Sequence, residues 1–168
     1  MMTSAELLLE YRRHPKRGFD LIYQAFADRL TTYLRRSYSL SLEEISDVVH
    51  DAFLPWVANP ERVAQVENIS AYLFATVRNL ALQVKRQRLS PIPDSFDPPV
   101  PAPSAQLEES IHVEQSLQRL PDEQREAIVL KIWGDLSFEE IATIQGVPLQ
   151  TAAARYRYGL QKLEEMLS

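Results

Sequence analysis

Apolar positions recur along this chain at steps of three and four, with polar residues between them, which predicts helices throughout and an all-α fold. Thr3 and Glu6 are spaced as a capping box that opens a first helix, and Pro15 closes it. A longer helix is expected from about Arg17 to Tyr38, with Phe19, Ile22, Phe26, Leu30 and Tyr33 as its buried stripe. Ser41 and Glu44 form a second capping box. Behind it Ile45, Val48, Val49, Ala52, Phe53 and Trp56 keep the helical step, while Glu43, Asp47, His50 and Asp51 take the opposite side. Pro55 is expected to kink or stop this helix. Residues 58–68, ANPERVAQVEN, read as a loop. The next helix is expected from about Ser70 to Arg88, with Leu73, Val77, Leu80 and Val84 facing inward. Arg78, Asn79, Lys85, Arg86 and Arg88 make it the most basic part of the chain.

The pattern then breaks. Residues 90–106, SPIPDSFDPPVPAPSAQ, hold six prolines and no Lys or Arg, and read as an extended linker. Carried to Glu109, about 20 residues at ~3.1 Å each span on the order of 60 Å and fix no single domain geometry. Helical spacing resumes over residues 107–119, and Pro121, Asp122 and Glu123 start another helix, AIVLKIW, that reaches Gly134. This divides the chain into residues 1–89, a linker at 90–109, and residues 110–168.

The last stretch, SFEEIATIQGVPLQTAAARYRYGLQKL, reads as a helix-turn-helix. Ser137 and Glu140 cap its first helix, which Ile141, Ala142 and Ile144 line. Gly146 can take the left-handed conformation that ends a helix, and Pro148 suits the first turn of the second. There Leu149, Ala152, Tyr156, Leu160, Leu163 and Leu167 form one stripe. Thr151, Ala154, Arg155, Tyr158 and Lys162 fall on the other side, with Arg157 on the flank. Hydroxyl, methyl, guanidinium, phenol and ammonium groups on one face are what a helix reading the major groove presents.

Charge changes this picture. The net charge is −5, and Lys+Arg against Asp+Glu runs 12 to 10 over residues 1–89, none to 5 over 90–118, and 6 to 8 over 119–168. With little positive charge to neutralise phosphates, the isolated chain is expected to bind DNA weakly, so something larger helps hold it there. The absence of cysteine removes any disulfide or thiolate metal site. No apolar run approaches the ~20 residues of a membrane helix. The N-terminal run LLL is far too short for a signal peptide, so a cytoplasmic protein is expected.

LPDEQREAIVLKIWGDLSFEEIATIQGVPLQTAAARYRYGLQKL closely resembles region 4 of bacterial extracytoplasmic-function sigma factors of the sigma-70 family. In the first part, DVVHDAFLPWV is similar to the polymerase-binding segment of region 2, and NISAYLFATVRNLALQVKRQR to its promoter-melting and reading helix. The resemblance covers nearly the whole chain, in the right order. It implies a non-enzymatic factor without cofactor or metal that directs core RNA polymerase to promoter DNA, under the control of an anti-sigma factor. By position it implies that Asp47, His50, Asp51 and Phe53 dock on the clamp helices of the polymerase largest subunit. Residues from Asn59 to Asn68 would capture a base flipped from the minus-10 element, which Arg78, Asn79, Lys85 and Arg86 would also contact. Gln150, Thr151, Ala154, Arg155 and Arg157, with Tyr158 and Lys162 on the same helix, would read or hold the minus-35 element. His50 stands where the family usually has Gln, Pro55 where a helical residue is usual, and Ala153 and Ala154 where Lys and Ser are frequent.

Two other readings of the residues are open. One is a stand-alone helix-turn-helix regulator with a helical sensor domain. The other, remote, is a metal-dependent phosphohydrolase of HD type built on Asp47, His50 and Asp51, for which the further ligands would be His14, beside Pro15, and Asp94 or Asp97 in the linker. Trp56, Tyr72 and Phe74 have core spacing, whereas Phe96 in the linker favours contact with a partner.

Overall fold

The computed structural model describes residues 2–88 and 105–168; Asp94, Phe96 and Asp97 lie outside them. Among the described residues there are nine helices and no strand: α1 Ser4–Arg13, α2 Pro15–Ser37, α3 Leu42–Ala58, α4 Pro60–Val63, α5 Ile69–Gln87, α6 Ala105–Gln118, α7 Asp122–Ile132, α8 Phe138–Gln145 and α9 Leu149–Leu167. α6 begins at Ala105, so the end of the expected linker is helical.

The starts are set by local chemistry. At Thr3, Ser41 and Ser137 the hydroxyl accepts from the amide three residues on, and Glu6, Glu44 and Glu140 return the bond to the cap amide, so two orphan donors are satisfied at each. Gly146 ends α8 in the left-handed region at φ 68°, and Pro148 serves as the N-cap of α9, one position earlier than expected.

Pro55 does not stop α3. The helix runs on to Ala58, and the Asn59 amide donates to the Pro55 carbonyl at 2.8 Å. Proline removes one donor but leaves its carbonyl free, and only three residues remain to be held. The segment read as a loop contains α4, a single turn whose Val63 is buried.

The first core is closed by Ile22, Leu30, Tyr33, Leu34, Ile45, Trp56, Leu73, Phe74 and Val77. Trp56 and Phe74 are therefore core residues, and half-buried Tyr72 packs edge-on against Trp56 at 6.0 Å. This core continues into the second group of helices. Val129, Leu130, Leu136, Ile141 and Ile144 belong to the same apolar cluster, because α7 and α8 pack on α2 and α5. The expectation that no one interdomain geometry is set thus meets a closed arrangement. α7 is buried on every side, Arg125 through Leu130 inclusive, between α2 and α9.

In α9 the buried stripe is shorter than its spacing suggests. Ala152 and Leu163 are buried and Tyr156 and Leu160 half-buried, but Leu149 and Leu167 are exposed. The two ends project beyond the surface that α7 and α8 offer. Gly159 fills the stripe instead, where a Cβ would come within 2.8 Å of Ile128 Cδ1.

Candidate functional site

Three surfaces carry the residues singled out by the sequence. On α3 the apolar step turns Ile45, Val48, Val49, Ala52, Phe53 and Trp56 inward, which leaves Asp47, His50 and Asp51 exposed on the outer side. Phe53 does not join them. It is buried at 3 % exposure, edge-on to Phe19 at 6.0 Å and tilted against Tyr23 at 5.1 Å. It forms the floor of a cleft of about 350 Å³ between α2 and α3, with His50 on its wall and exposed Tyr23, Leu42, Leu54 and Val57 around it. Exposed Asp28 also lines the cleft, while Asp47 and Asp51 lie on α3 outside its lining, next to His50 on the exposed side. An apolar cleft with carboxylates in and beside it suits an amphipathic partner helix with basic flanks. Among the described residues no group of three or more His, Cys, Asp or Glu side chains comes together in a way that could hold a metal ion.

The second surface follows α4 and runs along α5. Asn59 is exposed at the C-cap of α3, and exposed Asn68 caps α5 by accepting from the Ala71 amide at 3.0 Å. Along α5, Asn79, Lys85 and Arg86 are exposed. Lys85 Nζ lies 5.7 Å from the centre of the Tyr38 ring.

The third surface is α9. Gln150, Arg157, Tyr158 and Lys162 are exposed, and Thr151, Ala154 and Arg155 are half-buried. Arg157 lies over the Tyr158 ring at 5.5 Å, which fixes both side chains on the outer face.

The structure joins two of these surfaces through residues that sequence spacing does not single out. Glu126 of α7 is 6 % exposed and gathers donors from three helices and the segment after α2. Tyr33 donates to Oε2 at 2.8 Å, Tyr38 donates to the same oxygen at 2.6 Å, and Gln145 Nε2 donates to Oε1 at 2.9 Å. Arg78 Nε lies 3.1 Å from both carboxylate oxygens. Gln145 in turn accepts from Arg155 at 3.3 Å, so Arg78 and Arg155 end on one polar network. Burial, with Glu126 next, pushes the phenols of Tyr33 and Tyr38 above their ordinary value. For Arg78 burial acts downward, but Glu126 and the two phenols outweigh it and hold the guanidinium above its ordinary value. The sequence offers no signal for this, since Glu126 stands beside Arg125 within an unbroken helix and its tyrosine donors come from 93 and 88 residues away.

Around this network Arg29 donates to the Gly134 carbonyl. The Arg36 guanidinium lies 4.0 Å from the centre of the Trp133 ring, and Arg125 donates to the Ser37 carbonyl at 3.3 Å. None of these residues was expected to meet.

Comparison with known proteins decides what the two halves are. Residues 22–89 match the model of Sigma-70 region 2, and residues 112–163 match that of Sigma-70, region 4. The chain belongs to the sigma-70 family. It is an extracytoplasmic-function sigma factor, a subunit that directs RNA polymerase to promoters. Over 141 residues it is 28 % identical to ECF RNA polymerase sigma factor EcfG of Rhodopseudomonas palustris, covering 79 % of this chain and 78 % of that one. In fold it is similar to CnrH in complex with the cytosolic domain of CnrY, at TM-score 0.69 and 23 % identity over 96 % of this sigma factor and 94 % of CnrH. It is also similar to the sigma factor RpoE in complex with the anti-sigma factor NepR from Bartonella quintana, at TM-score 0.68 and 24 % identity over 90 % and 95 % of the two chains. The α3 and α5 candidates of this sigma factor fall inside the region 2 match, and its α9 candidates inside the region 4 match.

Proposed function

We propose that this sigma factor divides its work among the three surfaces as follows. Asp47, His50 and Asp51, with the Phe53-floored cleft beside them, dock core RNA polymerase. Asn59, Asn68, Arg78, Asn79, Lys85 and Arg86 engage the minus-10 element, and Gln150, Thr151, Ala154, Arg155, Arg157, Tyr158 and Lys162 the minus-35 element. The observation that carries this assignment is the outer face of α3, where exposed Asp47, His50 and Asp51 stand beside an apolar cleft that no residue among the described ones fills. Exposed polar groups on a rigid helix are placed for recognition, since packing does not require them there.

The family favours this reading over a stand-alone regulator or a phosphohydrolase. The chain is not an enzyme on this reading; it acts in the cytoplasm, where polymerase and promoter DNA are. An anti-sigma factor is its regulatory partner, supported by one similar fold solved with an anti-sigma factor and one solved with a cytosolic partner domain. The test is reconstitution with core RNA polymerase on a promoter library, with start sites mapped. Defined minus-10 and minus-35 sequences upstream of the starts are expected. Starts that do not depend on the added chain would overturn the assignment.

A further inference from the structure

The buried carboxylate of Glu126 stands where no residue of the promoter-reading surfaces requires one. It bridges the two halves of the molecule, and its partners include an arginine assigned above to minus-10 DNA and, through Gln145, one assigned to minus-35 DNA. We propose that Glu126 is an intramolecular substitute for the DNA phosphate, a latch that holds the domains closed and withholds Arg78 from promoter DNA in the free protein. This rests on the assignment of Arg78 to DNA.

The chemistry fits. The Arg78 Nε–H is shared between both oxygens of the carboxylate, an anionic acceptor of the kind a phosphate oxygen also offers. That N–H cannot serve Glu126 and a phosphate at once, and the carboxylate holds the side chain at the domain interface. The two tyrosine hydroxyls add donors from the first domain, so opening the domains would strip Glu126 of three of its four partners and leave Gln145 alone. Removing the partners of a buried charge is strongly unfavourable unless water or another ligand replaces them.

Geometry also supplies an order of events. The closed contact is made by α2 and α5 against α7 and α8, while Asp47, His50 and Asp51 on α3 stay exposed. Core polymerase can therefore dock on α3 while the latch is shut. DNA binding by the free chain is then reduced by the fraction of molecules that are open.

The experiment uses the full chain, which has no cysteine, labelled with a donor and acceptor dye at Asp20→Cys and Glu165→Cys, both exposed positions. Energy transfer reports closure, and anisotropy with a duplex of a promoter that the holoenzyme uses reports DNA binding. Glu126→Gln keeps the shape and removes the charge. Tyr33→Phe with Tyr38→Phe removes only donors that cross the interface, and decides the matter if Glu126→Gln lowers helicity. Both variants are expected to lose energy transfer and to bind duplex DNA more tightly, by up to ~10-fold for Glu126→Gln if the wild type is about nine-tenths closed. Unchanged energy transfer in the folded variants would overturn the latch. Open domains with unchanged DNA affinity would overturn its masking role. The assignment of Arg78 is checked apart from this, in holoenzyme: if Arg78→Ala leaves promoter use unchanged, that assignment fails whatever the domains do.

Discussion

The Tyr11 hydroxyl donates to the Trp56 carbonyl at 2.5 Å, and the two rings meet edge-on at 5.2 Å. This ties α1 to the C-terminal end of α3, 45 residues away in sequence. It also gives a partner to a carbonyl near the place where Pro55 removes a helical donor. Burial pushes the Tyr11 hydroxyl above its ordinary value, as befits a neutral donor. Tyr11→Phe leaves the carbonyl buried without that bond and is expected to cost about 1–3 kcal/mol in denaturant unfolding. A loss below a few tenths would mean that water takes the place of the hydroxyl.

Gly18 makes the same joint possible from the other side. A Cβ there would fall within 2.5 Å of the Tyr11 backbone nitrogen and closer still to its Cα. Alanine in place of glycine ordinarily favours a helix by about 1 kcal/mol. Here the obstacle is backbone, which cannot rotate away, so α1 must move off α2. Overpacking of this kind costs about 1–3 kcal/mol or more, which outweighs the propensity gain. Gly18→Ala is expected to lower the unfolding midpoint and to expose Trp56 to a quencher. A raised midpoint would show that α1 shifts freely.

The elements of this fold are legible in the sequence because their causes are local. Three capping boxes, one left-handed glycine and a period of three to four residues are all written within a few positions of where they act. Pro55 was harder, since whether a helix survives it depends on what holds the next turn. Leu149 and Leu167 follow the stripe but are exposed, because the spacing cannot say where the supporting helices end. The outward residues of α3 and α9 are legible for the same local reason as the helices. Glu126 is not: its donors Tyr33 and Tyr38 lie 93 and 88 residues away, in the other domain. Its neighbours suggest only an exposed charge that happens to flank a buried run.

The docking face predicts an effect on core binding alone. Asp47 and Asp51 are exposed and bear on no core contact, so reversing both to lysine is expected to leave the circular dichroism and unfolding midpoint nearly unchanged. Placing like charges against a basic partner surface opposes association, and core affinity is expected to fall by ~10-fold or more. A pull-down of the folded double variant at wild-type strength would remove α3 from the polymerase interface.

The interface phenols predict a one-sided pH dependence. Tyr33 and Tyr38 are both raised above the ordinary phenol value of 10.0, first by burial and then by Glu126. A group raised on folding contributes stability that is fully present below the unfolded value. That contribution is lost as pH rises through the folded value. Between neutrality and pH 10 the closed interface is therefore expected to be insensitive to these two groups, and to open only above it. Phenolate absorbance against pH is expected to show late titration of Tyr33 and Tyr38, absent in the corresponding Phe variants. Titration at the ordinary value would mean that the two hydroxyls face solvent.

The last prediction concerns α9, and must be made in holoenzyme because Arg155 also bonds Gln145 in the closed chain. Thr151, Ala154 and Arg155 lie in the N-terminal half of the helix, the part that approaches base edges in a helix-turn-helix. Lys162 lies two turns further on and exposed, and the role proposed for it is to hold a phosphate. A base-reading arginine contributes ~1–3 kcal/mol of discrimination, or roughly 5- to 150-fold, whereas a phosphate contact acts on all sequences alike. Arg155→Ala is therefore expected to relax preference at one or two minus-35 positions. Lys162→Ala is expected to weaken every promoter by a similar factor and to flatten the dependence of binding on salt. Transcription across a randomised minus-35 library separates the two. If both variants lower it uniformly, Arg155 holds backbone rather than bases, and sequence reading falls to Gln150, Thr151 and the methyl of Ala154.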